Sequence, residues 1–440
     1  MALLACLATL TISSCKKADY PDRFELTSGT PTIKSIRYAE KDVYITSAYM
    51  GEIICLLGDN LTSIQRLFFN DQEASLNTSY ITENTLIVAV PGNMPTVTTN
   101  KIYMYNEAGD VTEYDFQILP PNPVITAMSC EWAPAGSTVT ITGKYLFDDD
   151  NVPLTVSFPG ADAESVTIVS SNEIQVVVPE GAQEGTVTVT TVSGSAVSKF
   201  HYKDTRNMLF DWDGKYGDAR AIAQGWRDGS KVIRTPGSDS FDALDGNYIV
   251  FASDLKAGIG ADWPEDPMSF NYWPSTANAD NGPLCEQTEF ADMINSYGVG
   301  GLSLKFECLI PSSNPWMACG MQLMFSSSAR VTLETATNGY FGDATFPRGI
   351  WMPWYSNDGY AIGGNYDTSG SYDTNDEWVT VCVPLSDFVY TNDINTKCAT
   401  QFTKDYLSGL TFFVWHGGVE GTECSPIIAI DNIRVVPNDK

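Results

Sequence analysis

Histidine is almost missing from the 440-residue chain, which has only His201 and His416. Ser-His-Asp and Cys-His arrangements and multi-histidine metal centres therefore lack their parts. Positive charge is scarce too, with 25 Lys and Arg against 54 Asp and Glu and a formal net charge of -29. No basic cluster offsets this locally, so phosphate backbones and anionic headgroups are repelled and nucleic acid is excluded as a partner. The ten cysteines form no CxxC pair, and no GxSxG, P-loop, HExxH or GxGxxG with its acidic partner occurs. Most cysteines read as buried apolar fillers, and any disulfide connectivity stays unassigned.

A long hydrophobic run is also lacking. The apolar start MALLACLATLTISSC, residues 1–15, is too short to span a bilayer and ends in small residues before Cys15. It reads as the core of an export signal and resembles a bacterial lipoprotein signal. That resemblance implies cleavage before Cys15 and acylation of Cys15 as the lipid anchor, two or three acyl chains being enough for stable attachment. An ordinary secretory signal is the alternative. Residues 16–30 are polar and aperiodic, which suits a flexible tether.

What is present is an internal repeat. Pro31-Thr-Ile-Lys-Ser-Ile and Asn122-Pro-Val-Ile-Thr-Ala-Met each open a segment of similar length and layout, 31–120 and 121–203. In the second copy Ser137-Thr-Val-Thr-Ile-Thr alternates up to Gly143, and Leu154, Val156 and Phe158 alternate after it. Ile174-Gln-Val-Val-Val then stops at Pro179, and Thr186-Val-Thr-Val-Thr precedes the turn at Ser193-Gly194. The first copy repeats the order with Glu52 to Gly58, Leu67-Phe-Phe, Thr85 to Pro91 and Ile102-Tyr-Met-Tyr. Short strands at this spacing predict antiparallel sandwiches. The V-x-I-x-G, V-x-F and V-P elements resemble the IPT/TIG family of Ig-like domains. The junction Leu119-Pro-Pro-Asn-Pro123 leaves little slack, and the pair is expected to act as a semi-rigid stalk.

The composition changes in 204–440, which holds nine of the ten tryptophans. Its strand-like runs include Tyr248-Ile-Val-Phe, Leu302 to Phe306, Trp378 to Pro384, Leu410 to Trp415 and Ile427 to Arg434, which predict a jelly-roll-like sandwich. The fold class expected for the chain is all-β: two tandem Ig-like (IPT/TIG) β-sandwiches followed by a larger jelly-roll-like β-sandwich.

Aromatics carry the functional signal. A sugar ring presents C–H groups on one face, and stacking that face on indole or phenol buries apolar area while the hydroxyls bond at the edges. The densest cluster is Trp351, Trp354 and Tyr355 around Pro353, in a segment without sustained alternation that reads as a loop. Trp316 lies between two strands. Trp263, Tyr272 and Trp273 fall in a long irregular stretch. Trp212, Trp378 and Trp415, on or beside alternating strands, read as core residues.

The C-terminal half also resembles the surface glycan-binding lipoproteins of Bacteroidota polysaccharide-utilisation systems, through Asn314-Pro-Trp-Met-Ala, Glu377-Trp-Val-Thr-Val-Cys-Val-Pro-Leu-Ser-Asp-Phe388 and Ile430-Asp-Asn-Ile-Arg-Val-Val-Pro437. The resemblance implies that Trp316, Trp354 and Tyr355 hold a β-glucan-like chain; Trp351 is added from composition. It implies binding of a neutral polysaccharide or oligosaccharide such as xyloglucan or mixed-linkage glucan without turnover, outward-facing attachment to the outer membrane through the lipid anchor alone, and an outer-membrane glycan importer and surface glycosidases as partners. No cofactor is required, and a structural calcium stays open. Two other readings stand beside it: a glycosidase or lyase with dispersed carboxylates, which leave no local signature, and a protein-binding adhesin.

Overall fold

The computed structural model describes residues 27–149, 152–213, 232–255, 266–274, 282–317, 320–327, 347–353, 371–391, 396–415 and 423–438. Two compact units divide the chain, Met1–Pro121 and Asn122–Lys440.

In the first unit, one antiparallel sheet has the order Tyr44–Ile45, Thr32–Tyr38, Ile53–Asp59, Thr85–Ala89. The other has the order Gln72–Glu73, Arg66–Phe69, Lys101–Tyr105, Val111–Asp115. A short parallel pair, Ser47–Tyr49 with Gln117–Leu119, accompanies them. Alternate residues such as Ile54, Leu56, Leu67, Phe69, Ile102 and Met104 meet in one core.

The second Ig-like module repeats the second of these sheets strand for strand and three strands of the first, whose fourth strand differs: Tyr44–Ile45 lies beside the first strand in one copy, Val166–Ser170 beside the third in the other. Val124–Met128, Thr138–Lys144, Glu173–Val177 and Val166–Ser170 form one sheet; Ala161–Asp162, Thr155–Phe158, Gly185–Thr191 and Gly194–Tyr202 form the other. The repeat extends to one glycine in each copy. A Cβ on Gly58 would lie 1.8 Å from the Thr32 carbonyl oxygen, and one on Gly143 would lie 2.0 Å from that of Val124. Both glycines face a first strand whose register shifts, between Ile33 and Ser35 or between Ile125 and Ala127. The irregular strand presses its backbone onto its neighbour, and only a residue without Cβ fits there.

The C-terminal sandwich has two sheets around the largest core. One runs Ile233–Arg234, Tyr248–Ala252, Ile427–Pro437, Leu302–Leu309, Val379–Pro384, with Met208–Phe210 also paired to Ile427–Pro437; the other runs Ser269–Tyr272, Gly409–Trp415, Gly320–Ser326, Gly349–Trp351. Phe210, Phe270, Phe306, Phe325 and Phe412 fill the space between them.

The expectation of irregular chain around two aromatic segments needs correction here. Residues 269–272 and 349–351 are strands, not irregular chain. Four and three residues are too few for a period of two to register, and every residue in them is buried, so no polar alternation marks the outer face. The second Ig-like module, moreover, belongs to the same compact unit as the sandwich. Met208 and Leu244 of the sandwich complete the second module's core.

A buried ionic cluster joins these two parts. Glu131 of the Ig-like module accepts from Lys305 Nζ at 2.7 Å and from Arg434 Nη2 at 2.8 Å. Arg434 Nη1 donates to Glu307 at 2.7 Å. Thr380 ties the cluster to the backbone: its hydroxyl donates to Glu307, and it accepts from the Glu131 N–H at 2.7 Å. The Thr380 N–H donates to the Ser129 carbonyl at 2.8 Å. Two acids and two bases balance, which is what makes a charged group tolerable at zero exposure. Burial pushes the Glu307 carboxyl up to about 7 against the pull of the Arg434 guanidinium.

Of the seven described cysteines, Cys55, Cys130 and Cys308 are buried, Cys285, Cys398 and Cys424 are half-buried and Cys382 is exposed, so fewer than half of them are the buried fillers expected. Cys382 points outward from the sheet-edge strand Val379–Pro384, opposite the inward Val381 and Val383.

Candidate functional site

The two sheets of the sandwich bring three of the proposed aromatics into its core instead of onto its surface. Trp316 is 0% exposed, Tyr272 1% and Trp351 8%. Trp316 and Trp351 meet edge to face with ring centres 5.3 Å apart, and Phe306 lies 5.5 Å from Trp351. Tyr272 packs on Phe210 at 5.5 Å while its hydroxyl donates to the Gly282 carbonyl at 2.7 Å. A ring enclosed in this way has no free face for a sugar, so these three are corrected from surface positions to core positions. The reason is local: each lies on a short strand or an isolated bridge and follows the inward direction of the sheet.

Trp273, next along the chain, is half-buried. Trp354, Tyr355 and Trp263 lie outside the described residues, as do Cys15 and His416.

The buried aromatics nonetheless bear on residues 354–370, because they hold both flanks of that segment. Trp351 enters it at the end of Gly349–Trp351, whose strand pairs Met321 with Trp351. Tyr372 leaves it, exchanging backbone hydrogen bonds of 2.9 and 3.0 Å with Trp316. The Trp351 and Tyr372 rings are 6.1 Å apart, nearly perpendicular. Entry and exit are thus fixed to one aromatic cluster by ring packing and paired backbone.

Sequence reading missed a polar row on the sheet face opposite this core. Asn271, Gln322, Arg348 and Thr411 are all buried. Thr411 donates to Asn271 at 3.0 Å, and Arg348 donates to Gln322 at 2.8 Å. Scattered polar residues within apolar strands give no pattern that a single sequence reveals; their alignment depends on strand register.

Trp212 is core, as expected, stacked on Phe210 at 6.2 Å. Trp378 departs from the expected core position. It is half-buried beside Phe241 and Tyr248, with its Nε1 donating to the Asp242 carbonyl at 3.0 Å.

Comparison with known proteins agrees with this architecture. The IPT/TIG domain family matches residues 123–203, and the surface glycan-binding protein B xyloglucan binding domain family matches residues 202–437. A crystal structure of the surface glycan-binding protein PbSGBP-B from Prevotella bryantii is 37% identical, with 94% of this chain and 100% of that chain covered at a TM-score of 0.72. An IPT/TIG domain-containing protein of Bacteroides ovatus is 27% identical over 217 residues, 45% of this chain and 43% of that protein. This chain therefore spans less than half the length of that curated relative. The match across the whole sandwich, together with the related crystal structure, places the chain in the family of surface glycan-binding proteins of type B.

Proposed function

We propose that this protein captures a neutral β-glucan chain, xyloglucan or a related glucan, at the cell surface and holds it without cleaving it. The observation that carries the reading is the match of the xyloglucan binding domain to residues 202–437, essentially the whole C-terminal sandwich. The platform assigned to the task is Trp354 and Tyr355, on the segment whose flanks the Trp316, Trp351 and Tyr372 cluster fixes. Trp263 and Trp273 are additional contacts in this reading.

An acidic chain suits a neutral ligand better than a polyanionic one. Stacking on aromatic faces requires neither metal nor proton transfer, so no catalytic role is assigned. Acylation at Cys15 would attach the protein to the outer membrane, and residues 16–30 would lift it clear of the lipid. An outer-membrane importer and surface glycosidases would receive the bound chain, and many copies on one cell would give avidity beyond the affinity of a single site.

The test is calorimetric titration of the protein lacking residues 1–15 against a polysaccharide panel, with product release assayed on the same samples. Saturable binding to β-glucans without new reducing ends, abolished in folded Trp354→Ala and Tyr355→Ala variants, is the expected result. Binding to no glycan overturns the reading, and steady product release replaces it with a glycosidase.

A further inference from the structure

A cleft of about 710 Å³ opens between the second Ig-like module and the C-terminal sandwich, within the size range of ligand sites. We propose that it is a second sugar-binding site, independent of the Trp354 and Tyr355 platform and specific for a short neutral oligosaccharide.

The cleft joins an aromatic wall to a polar rim. The wall is Trp378 with Phe241 and Leu244. The hydrogen bond from Trp378 Nε1 to the Asp242 carbonyl, with Phe241 and Tyr248 set edge-on at 6.4 and 5.9 Å, fixes the plane of the indole. Trp378 stays half-buried after making all these contacts, so part of a rigid aromatic surface faces the space between the two parts. Such a surface can stack the C–H face of a pyranose, and because it is already fixed, little ordering entropy opposes binding.

The rim supplies what sugar hydroxyls need. Ser137 and Thr138 from the Ig-like module face Ser240, Asp376 and Glu377 from the sandwich. The carboxylate of Asp376 is held by the Ser312 N–H at 2.9 Å and the Ser312 hydroxyl at 2.8 Å, which leaves acceptor capacity for ligand hydroxyls. Among the described residues no lysine, arginine or histidine lines the cleft, and three acidic residues do, which disfavours an anionic ligand. An apolar ligand would leave the rim groups without partners.

The walls come from two modules, so a usable site needs them fixed to each other. The Glu131, Lys305, Arg434 and Glu307 cluster does this. Ser129 and Cys130, which line the cleft, adjoin Glu131, and Ser129 is bonded to Thr380, two residues after Trp378.

The experiment is ¹⁹F NMR of the full chain labelled with 5-fluorotryptophan, the Trp378 resonance being assigned by its loss in Trp378→Phe. Probes are a neutral β-glucan oligosaccharide and a sulfated oligosaccharide of the same backbone. The expected result is a saturable shift of the Trp378 resonance with the neutral probe only. That shift persists in the Trp354→Ala/Tyr355→Ala variant and weakens at least about tenfold in Thr138→Trp, which fills the cleft from an exposed rim position. A silent Trp378 alongside normal calorimetric binding overturns this proposal and leaves the main platform standing; silence in both overturns both. A shift that disappears with Trp354 and Tyr355, that survives Thr138→Trp unchanged, or that the sulfated probe produces instead also overturns it.

Discussion

Glu131 and Arg434 are 303 residues apart in the chain and 2.8 Å apart in the fold, and both are buried. One belongs to an Ig-like module and the other to the closing strand of the sandwich, so their bond helps make a single body of two differently folded parts. Removing one partner strands the other charge out of water. Glu131→Ala is expected to lower stability by about 3–5 kcal/mol, read as a drop in the urea midpoint. It should also turn one unfolding transition of the 122–440 region into two, which calorimetry detects. A midpoint within error of the parent protein would show the cluster contributes nothing.

Asp431 gives a pH-dependent test. Burial first, and the neighbouring Asp245 carboxyl second, raise its pKa well above the ordinary carboxylate range. The folded state then binds a proton that the unfolded state has released. The associated stability is fully present below the unfolded pKa and is lost as pH rises through the folded pKa. Asp431→Asn keeps an acceptor for the Asn432 N–H and offers Asp245 a donor. We expect it to raise stability at neutral pH by about 1 kcal/mol and to flatten the decline between acidic and neutral pH. Parallel pH–stability curves for the two proteins would contradict this.

Trp316→Ala and Trp351→Ala open the core and should cost about 3–5 kcal/mol each. Thermal unfolding of these variants should shift strongly, and whatever protein stays folded should lose glycan affinity only in part, through the loosened flanks of residues 354–370. Trp354→Ala and Tyr355→Ala should show the reverse pattern. Measuring Tm and calorimetric affinity on all four separates packing from binding.

Gly143→Ala forces a methyl group against the Val124 carbonyl. The backbone must move, and a loss of about 1–3 kcal/mol is expected, together with faster hydrogen exchange along Val124–Met128 and Thr138–Lys144. Gly58→Ala should do the same in the first module, at the Thr32 carbonyl.

Much of the architecture was legible in the sequence because Ig-like strands bury one face and expose the other. Val139 and Ile141 point inward between half-buried and exposed threonines, so a period of two appears in Ser137 to Thr142. Gly58 and Gly143 ended matching strands of the repeat in the sequence, but that each meets a carbonyl of the first strand emerged only from the fold. The scarcity of histidine and of positive charge set limits on chemistry and partners without reference to any fold.

The tertiary structure decided where the tryptophans point. Trp316 and Trp351 share the composition and surroundings expected of a binding loop, yet strand pairing turns both into the core. Indole is both the best stacking surface and the largest core filler, so residue type cannot separate the two roles. Only the fold, likewise, brings Glu131 to Arg434 and Ser137 opposite Trp378, because contacts across hundreds of residues depend on how modules pack. The sequence alone determined periodicity, repeat and charge, which can be read along the chain; register, backbone clearance and packing between sheets and modules, which depend on distant residues, determined which aromatic faces a ligand could reach.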